Sequence, residues 1–201
     1  MKQRVAKKSR QTKETHIELS IDLDARHGNA ETRDIDVKTG LGFLDHMITA
    51  LAFHAGWDLK LSCDGDLDVD DHHTVEDCAI VLGETISELL ADKSGIVRFA
   101  SAYAPLDEAL ARAVIDISGR PFAHVELGLV GDAIGSVSCE NLTHFMQSFA
   151  MYGRFTLHVD VLRGANDHHR VEAAFKALAL AMRDGITPAA GGTQSTKGML
   201  A

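Results

Sequence analysis

The chain has 201 residues, 45% of them apolar, enough for one large domain or two small ones that share a core, and this excludes a disordered chain. Twenty basic residues against twenty-nine acidic ones give a formal charge of -9, which excludes a broad nucleic-acid interface and points to a small-molecule partner. The basic N-terminus (Lys2, Arg4, Lys7, Lys8, Arg10, Lys13) lacks the apolar run of a secretory signal, no stretch is long enough to span a membrane, and Cys63, Cys78 and Cys139 match neither a disulfide framework nor a zinc motif. A cytoplasmic protein with reduced thiols and no membrane contact is expected.

In chain order, alternation over Thr15 to Asp24 predicts a half-buried strand, Gly28-Asn29 a turn, and Thr32 to Val37 a second strand. Leu44, Met47, Leu51 and His54 recur at helical spacing over Phe43 to His54, and Gly56 can stop that helix. Trp57 to Cys63 alternates again. A Gly/Asp-rich turn leads into a helix from His72 to about Ala91, with Val75, Ala79, Leu82, Ile86 and Leu89 as its stripe. The same order then returns: strands near Ala109 to Ser118 and Phe122 to Leu129, a helix near Cys139 to Tyr152, a strand near Arg154 to Leu162 and a helix from His168 to Arg183. The segment after Pro188 is Gly-rich and reads as a loop.

The return extends to residue identity. Leu44-Asp45-His46-Met47 matches Leu142-Thr143-His144-Phe145 at an offset of 98. Asp71-His72-His73-Thr74-Val75-Glu76 matches Asp167-His168-His169-Arg170-Val171-Glu172 at 96, and Glu14 with its following strand matches Glu108 at 94. Three matches in one order indicate a duplicated half of roughly 95 residues. The expected fold is α/β (α+β), with halves at about 10–95 and 96–186, each a mixed sheet plus two helices, and a tail at 187–201.

Six of the eleven histidines occupy equivalent positions in the two halves: His46, His72, His73, His144, His168 and His169. On a helix, Glu76 lies four residues from His72 and three from His73, so the carboxylate shares a face with either imidazole. Adjacent helical side chains diverge by roughly 100°, so the two histidines of a pair would reach different metals. With Glu172 this gives six imidazoles and two carboxylates, which divide into two sites of three nitrogens and one oxygen. Such ligands suit Mn, Fe, Zn, Co or Ni. A single HH pair is ordinarily solvated or part of a helix cap; its repetition with an equally spaced Glu and an upstream His carries the metal reading.

The chain also resembles the imidazoleglycerol-phosphate dehydratase family, through Thr12-Lys13-Glu14-Thr15, Gly42-Phe43-Leu44-Asp45-His46-Met47, Asp71-His72-His73-Thr74-Val75-Glu76-Asp77, Pro105-Leu106-Asp107-Glu108-Ala109, Asp116-Ile117-Ser118-Gly119-Arg120-Pro121, His144-Phe145, His168-His169, Glu172-Ala173-Ala174-Phe175-Lys176 and Ser195-Thr196-Lys197-Gly198. The resemblance implies a duplicated α/β fold, two Mn2+ per active site, sites formed between subunits, a 24-subunit shell, and conversion of imidazole glycerol phosphate to imidazole acetol phosphate in histidine biosynthesis. It implies Glu14 as general acid/base, and Arg98, Arg120, Lys176, Ser195 and Lys197, with His54 nearby, as the substrate and phosphate set. Lys176 follows Glu172 by one helical turn, which turns it independently toward the metal face. Ala50, where many members have Gln, and Gln194, where Pro is usual, depart from the pattern. His16, His27, His124 and His158 match no ligand position and read as surface or strand histidines.

Overall fold

The computed structural model describes residues 4–25, 33–192, 194–196 and 200. The first half runs β1 (Val5–Gln11), β2 (Thr15–Asp22), β3 (Ile35–Lys38), α1 (Gly42–Ala55), β4 (Asp58–Gly65) and α2 (His72–Leu90). The second runs β5 (Phe99–Leu106), β6 (Ala109–Asp116), β7 (Phe122–Glu126), the short pair β8 (Ala133–Ile134) and β9 (Val137–Ser138), α3 (Cys139–Gly153), β10 (Thr156–Arg163) and α4 (Asp167–Gly185). The sheet orders are β1-β2-β4-β3 and β5-β6-β10-β7, the same topology twice. Each sheet is mixed, because its last pairing is parallel and the others antiparallel. The duplicated α/β architecture is therefore present as expected, while the turn at Gly28-Asn29 and His27 lie outside the described residues.

Two edge strands, β1 and β5, were not expected from the sequence, because their inward positions lack large apolar side chains. The inward positions of β1 are Ala6, Lys8 and Arg10, two of them cations that reach acidic groups of α2: Lys8 Nζ lies 2.9 Å from Glu84 and 2.6 Å from Glu88. The inward positions of β5 are Ala100, Ala102, Ala104 and Leu106, small because α4 packs closely on this strand.

Each pair of helices covers its own sheet, and across the halves α1 packs on α4 and α2 on α3, so the helices meet between the two sheets. One continuous core results, with Trp57, Phe145, Phe149, Phe155 and Phe175 all essentially inaccessible. Each such aromatic contributes about 1.5–3 kcal/mol of burial free energy. The α2–α3 crossing is so close that a Cβ on Gly83 would stand 2.7 Å from the Phe149 carbonyl. Gly56 ends α1 in the left-handed region, and its counterpart Arg154 adopts the same conformation after α3.

The N-termini of α2 and α4 are what position the site. Asp70 Oδ1 accepts from the His72 N–H at 2.8 Å, and Asn166 Oδ1 accepts from the His168 and His169 N–H groups at 2.9 and 3.4 Å. Both HH pairs therefore sit in the first turn of a long buried helix, rigidly placed yet reaching solvent. The start of the tail is ordered against the second half: Thr187 O accepts from Val97 N at 2.9 Å, and Ala189 N donates to Gly95 O at 2.8 Å.

Candidate metal centre

The cross-half helix pairs bring the repeated ligands together as two clusters. His46 of α1 meets His168 and Glu172 of α4, and His144 of α3 meets His72 and Glu76 of α2; within each, the ligand atoms lie within 4.8 Å of one another. In the first, Glu172 Oε2 is 3.1 Å from His46 Nε2 and 3.2 Å from His168 Nε2. In the second, Glu76 Oε1 is 3.0 Å from His144 Nε2 and Glu76 Oε2 is 3.9 Å from His72 Nε2. Each cluster offers two imidazole nitrogens and a carboxylate oxygen within one coordination radius, a donor set that suits a divalent transition metal.

Glu172, the carboxylate of the first cluster, is strongly biased toward its charged form. Burial opposes its charge, but Lys176, with Nζ 2.6 Å from Oε1, and His46 outweigh burial and hold its pKa at about 2. His54, on the same side of α1, is held below the ordinary imidazole range by burial and by the Lys176 charge.

His73 and His169 stand outside these clusters. Among the described residues neither cluster has the third nitrogen expected of a four-ligand site. His73 Nδ1 contacts Asp66 at 3.1 Å, which leaves Nε2 facing Glu14 Oε1 at 3.8 Å. His169 Nδ1 contacts Glu108 Oε2 at 2.7 Å, with Nε2 3.9 Å from Asp107. Their carboxylate partners raise both imidazole pKa values, and they fix the outer nitrogen as the one free to ligate.

Sequence reading missed these supporting groups. Asn141 is 4% exposed, and its Oδ1 lies 2.9 Å from His72 Nδ1. Asp71 is bonded to the Ser138 N–H and hydroxyl, both at 2.8 Å, and also to Asn141, so an Asp71–Asn141–His72 chain sets the ring. The one available signal was position: Asn141 precedes His144 by three residues, hence one helical turn. At the equivalent place in the first half stands Phe43, whose ring packs edge-on to His168 with centroids 5.0 Å apart.

The cationic set divides. Lys176 and His54 adjoin Glu172, as above. Arg98, 7% exposed, makes a two-pronged contact with Asp116 (Nε 2.7 Å, Nη2 3.1 Å) and donates through Nη1 to the Gln194 carbonyl. Arg120, largely exposed, has Nη2 3.7 Å from Asp116 Oδ2. Ser195 follows Gln194 and has a partner, and Lys197 lies outside the described residues. Glu108 immediately precedes β6 and Asp116 ends it, about 26 Å away at ~3.3 Å per residue, so the Arg98–Arg120 group is remote from His169 in the same chain. Ala50 is buried in α1. His16 pairs with Glu18 at 3.1 Å, and His124 and His158 are neighbours on strands β7 and β10.

Among the described residues no helix is long and apolar enough to cross a membrane. The profile of the imidazoleglycerol-phosphate dehydratase family matches residues 39–182. The imidazoleglycerol-phosphate dehydratase of Candida glabrata is 54% identical, covering 96% of this chain and 98% of its own length. That of Maudiozyma humilis is 51% identical over the whole of both chains. Among solved structures, the enzyme of Pyrococcus furiosus superposes with a TM-score of 0.81 at 37% identity, covering 96% of this chain and all of that one. The Staphylococcus aureus enzyme gives 0.77 at 36% identity, covering 92% and 99%. With its duplicated sheets, its paired His/Glu clusters and these full-length likenesses, the chain belongs to the imidazoleglycerol-phosphate dehydratase family, enzymes of the hydro-lyase class.

Proposed function

We propose that the chain dehydrates imidazole glycerol phosphate to imidazole acetol phosphate in histidine biosynthesis, with two divalent ions, Mn2+ in the first instance, and with active sites completed by a second copy in a 24-subunit cytoplasmic assembly. The observation that carries the metal reading is the pair of His/His/Glu clusters, each assembled from both halves of the duplication. His46, His168 and Glu172 would hold one ion, and His72, Glu76 and His144 the other, with His73 and His169 as further ligands. When bound, the ions supply Lewis acidity that stabilises negative charge on the substrate's imidazole ring.

The residues of the chain then have separate tasks. Glu14, about half exposed and beside His73, takes the proton from the hydroxyl-bearing carbon next to the one whose hydroxyl leaves. The hydroxyl leaves as water once a second proton reaches it, and the resulting enol becomes the ketone. Lys176 and His54 border the first cluster, where they can meet a substrate oxygen; Arg98, Arg120, Ser195 and Lys197 supply the cationic and hydroxyl donors for the phosphate.

Two features support completion by a second copy. His73 and His169 present their Nε2 atoms outside the clusters of their own chain, and Asp116, which Arg98 and Arg120 contact, stands about 26 Å along β6 from Glu108. A second copy brings both within reach of one substrate.

The test is Glu14→Gln assayed with imidazole glycerol phosphate, following ketone and inorganic phosphate together with metal content. Lost ketone formation at unchanged metal content is expected. Undiminished turnover would remove Glu14 from the mechanism, metal binding without turnover in the parent chain would indicate a metal-holding shell, and phosphate release in place of ketone would indicate a hydrolase.

A further inference from the structure

The duplication aligns Glu14 with Glu108, yet the two glutamates are held in different ways. The Glu108 carboxylate is committed: it accepts from the N–H groups of Ala165 and Asn166 at 3.0 and 2.9 Å and contacts His169 Nδ1 at 2.7 Å. Glu14 is held through its backbone instead. Its N–H donates to Thr12 Oγ1 at 3.0 Å, and its carbonyl accepts from the Asp66 N–H at 3.1 Å.

That backbone turn is tied to α2 by a buried polar group with no counterpart in the second half. Thr15 donates its N–H to Thr12 Oγ1 at 2.9 Å and its hydroxyl to Asp77 Oδ2 at 2.5 Å, and Arg10 Nη1 approaches the same oxygen at 2.5 Å. Thr15 and Asp77 are 4% and 5% exposed. At the repeat offsets, Arg10, Thr15 and Asp77 correspond to Ala104, Ala109 and Ala173, all three buried. The strand registers agree, since Arg10 opposes Ile17 as Ala104 opposes Ala111. The second half builds the same strand pair and helix around three alanines, so the topology has no need of the polar trio, and a buried ion pair is in itself a weak source of stability.

We infer that Asp77, with Arg10 and Thr15, is a positioning group that fixes the Thr12–Thr15 turn against α2 and so holds the Glu14 carboxylate, which makes no hydrogen bond among the described residues, beside the helix that carries His72, His73 and Glu76. The inference rests on the role given to Glu14 above. In this division of labour Glu108 orients a ligand, and Glu14 moves a proton.

The experiment compares Asp77→Asn, the triple variant Arg10→Ala/Thr15→Ala/Asp77→Ala, and the pair Thr15→Val and Thr15→Ser, each alone and with Glu14→Gln, in the metal-loaded assembly. Asp77→Asn, the triple variant and Thr15→Val are expected to lower kcat by ~10- to 100-fold with KM and metal content unchanged, as for a misplaced catalytic group. Thr15→Ser, which keeps the hydroxyl, retains turnover. In the Glu14→Gln background none of them lowers the residual rate further. A kcat within about twofold of the parent for Thr15→Val and Asp77→Asn, or an equal loss with and without Glu14, overturns the positioning role. Full activity of Glu14→Gln alone overturns the underlying assignment of Glu14, whatever Asp77 does.

Discussion

Replacing Asn141 by Ala tests how the second cluster is held. The Asn141 Oδ1 lies 2.9 Å from His72 Nδ1, which puts the ring's remaining lone pair on Nε2, toward Glu76 and His144. Losing such a partner typically weakens metal affinity 10- to 100-fold. At about 1.4 kcal/mol per decade this is about 1.4–2.8 kcal/mol at one site. The His46–His168–Glu172 cluster has Phe43 in the equivalent place and should be unchanged. Calorimetric titration of stripped protein with Mn2+ reads this directly: Asn141→Ala should separate the isotherm into one parent-like phase and one weakened phase. Because Asn141 also bonds Asp71, a thermal melt of the stripped variant accompanies the titration. Two unaltered affinities, or both sites weakened equally, would refute the assignment of Asn141 to His72.

Shared sites predict complementation: a Glu76→Gln chain and an Arg98→Ala chain, each inactive alone, should regain about a quarter of parent turnover per total site on random co-assembly, and no recovery would place both groups in one chain's site. Acid stability should report on Asp71. Burial opposes its ionisation, but the Ser138 and Asn141 bonds prevail and its pKa is lowered, so its stabilisation is fully present above the ordinary aspartate value near 3.8 and is lost as pH falls through the lower folded value. Asp71→Ala should lower neutral-pH stability by ~1–3 kcal/mol, because the Ser138 donors lose their acceptor, and should flatten the denaturation curve below about pH 4. An unchanged acid limb would show that Asp71 contributes nothing there.

The duplication was legible because it preserves side-chain chemistry: HHxxE at two helix N-termini and a His on each preceding helix mark the candidate ligands before any coordinate is known. What the spacing could not convey is which helices meet. Which candidate ligands meet depends on α1 packing on α4 and α2 on α3, a tertiary fact that leaves His73 and His169 outside both clusters. The strands β1 and β5 were missed for opposite reasons. One faces inward with Lys8 and Arg10, satisfied by acidic residues of α2, and the other with alanines that carry too little apolar contrast to register as alternation. Asn141, Asp66 and Asp71 act through other residues and bear no motif of their own. The family resemblance pointed to Arg98 as a phosphate contact, but no local pattern could show that it also anchors Gln194 of the tail and pairs with Asp116.

The most direct measurement is a metal titration of turnover. Protein stripped with a chelator is titrated with Mn2+ while ketone formation from imidazole glycerol phosphate is followed and bound metal counted. The two-cluster account predicts no turnover in the stripped protein and a rise that saturates at two ions per chain. Full turnover without metal, or saturation at a single ion per chain, would contradict it.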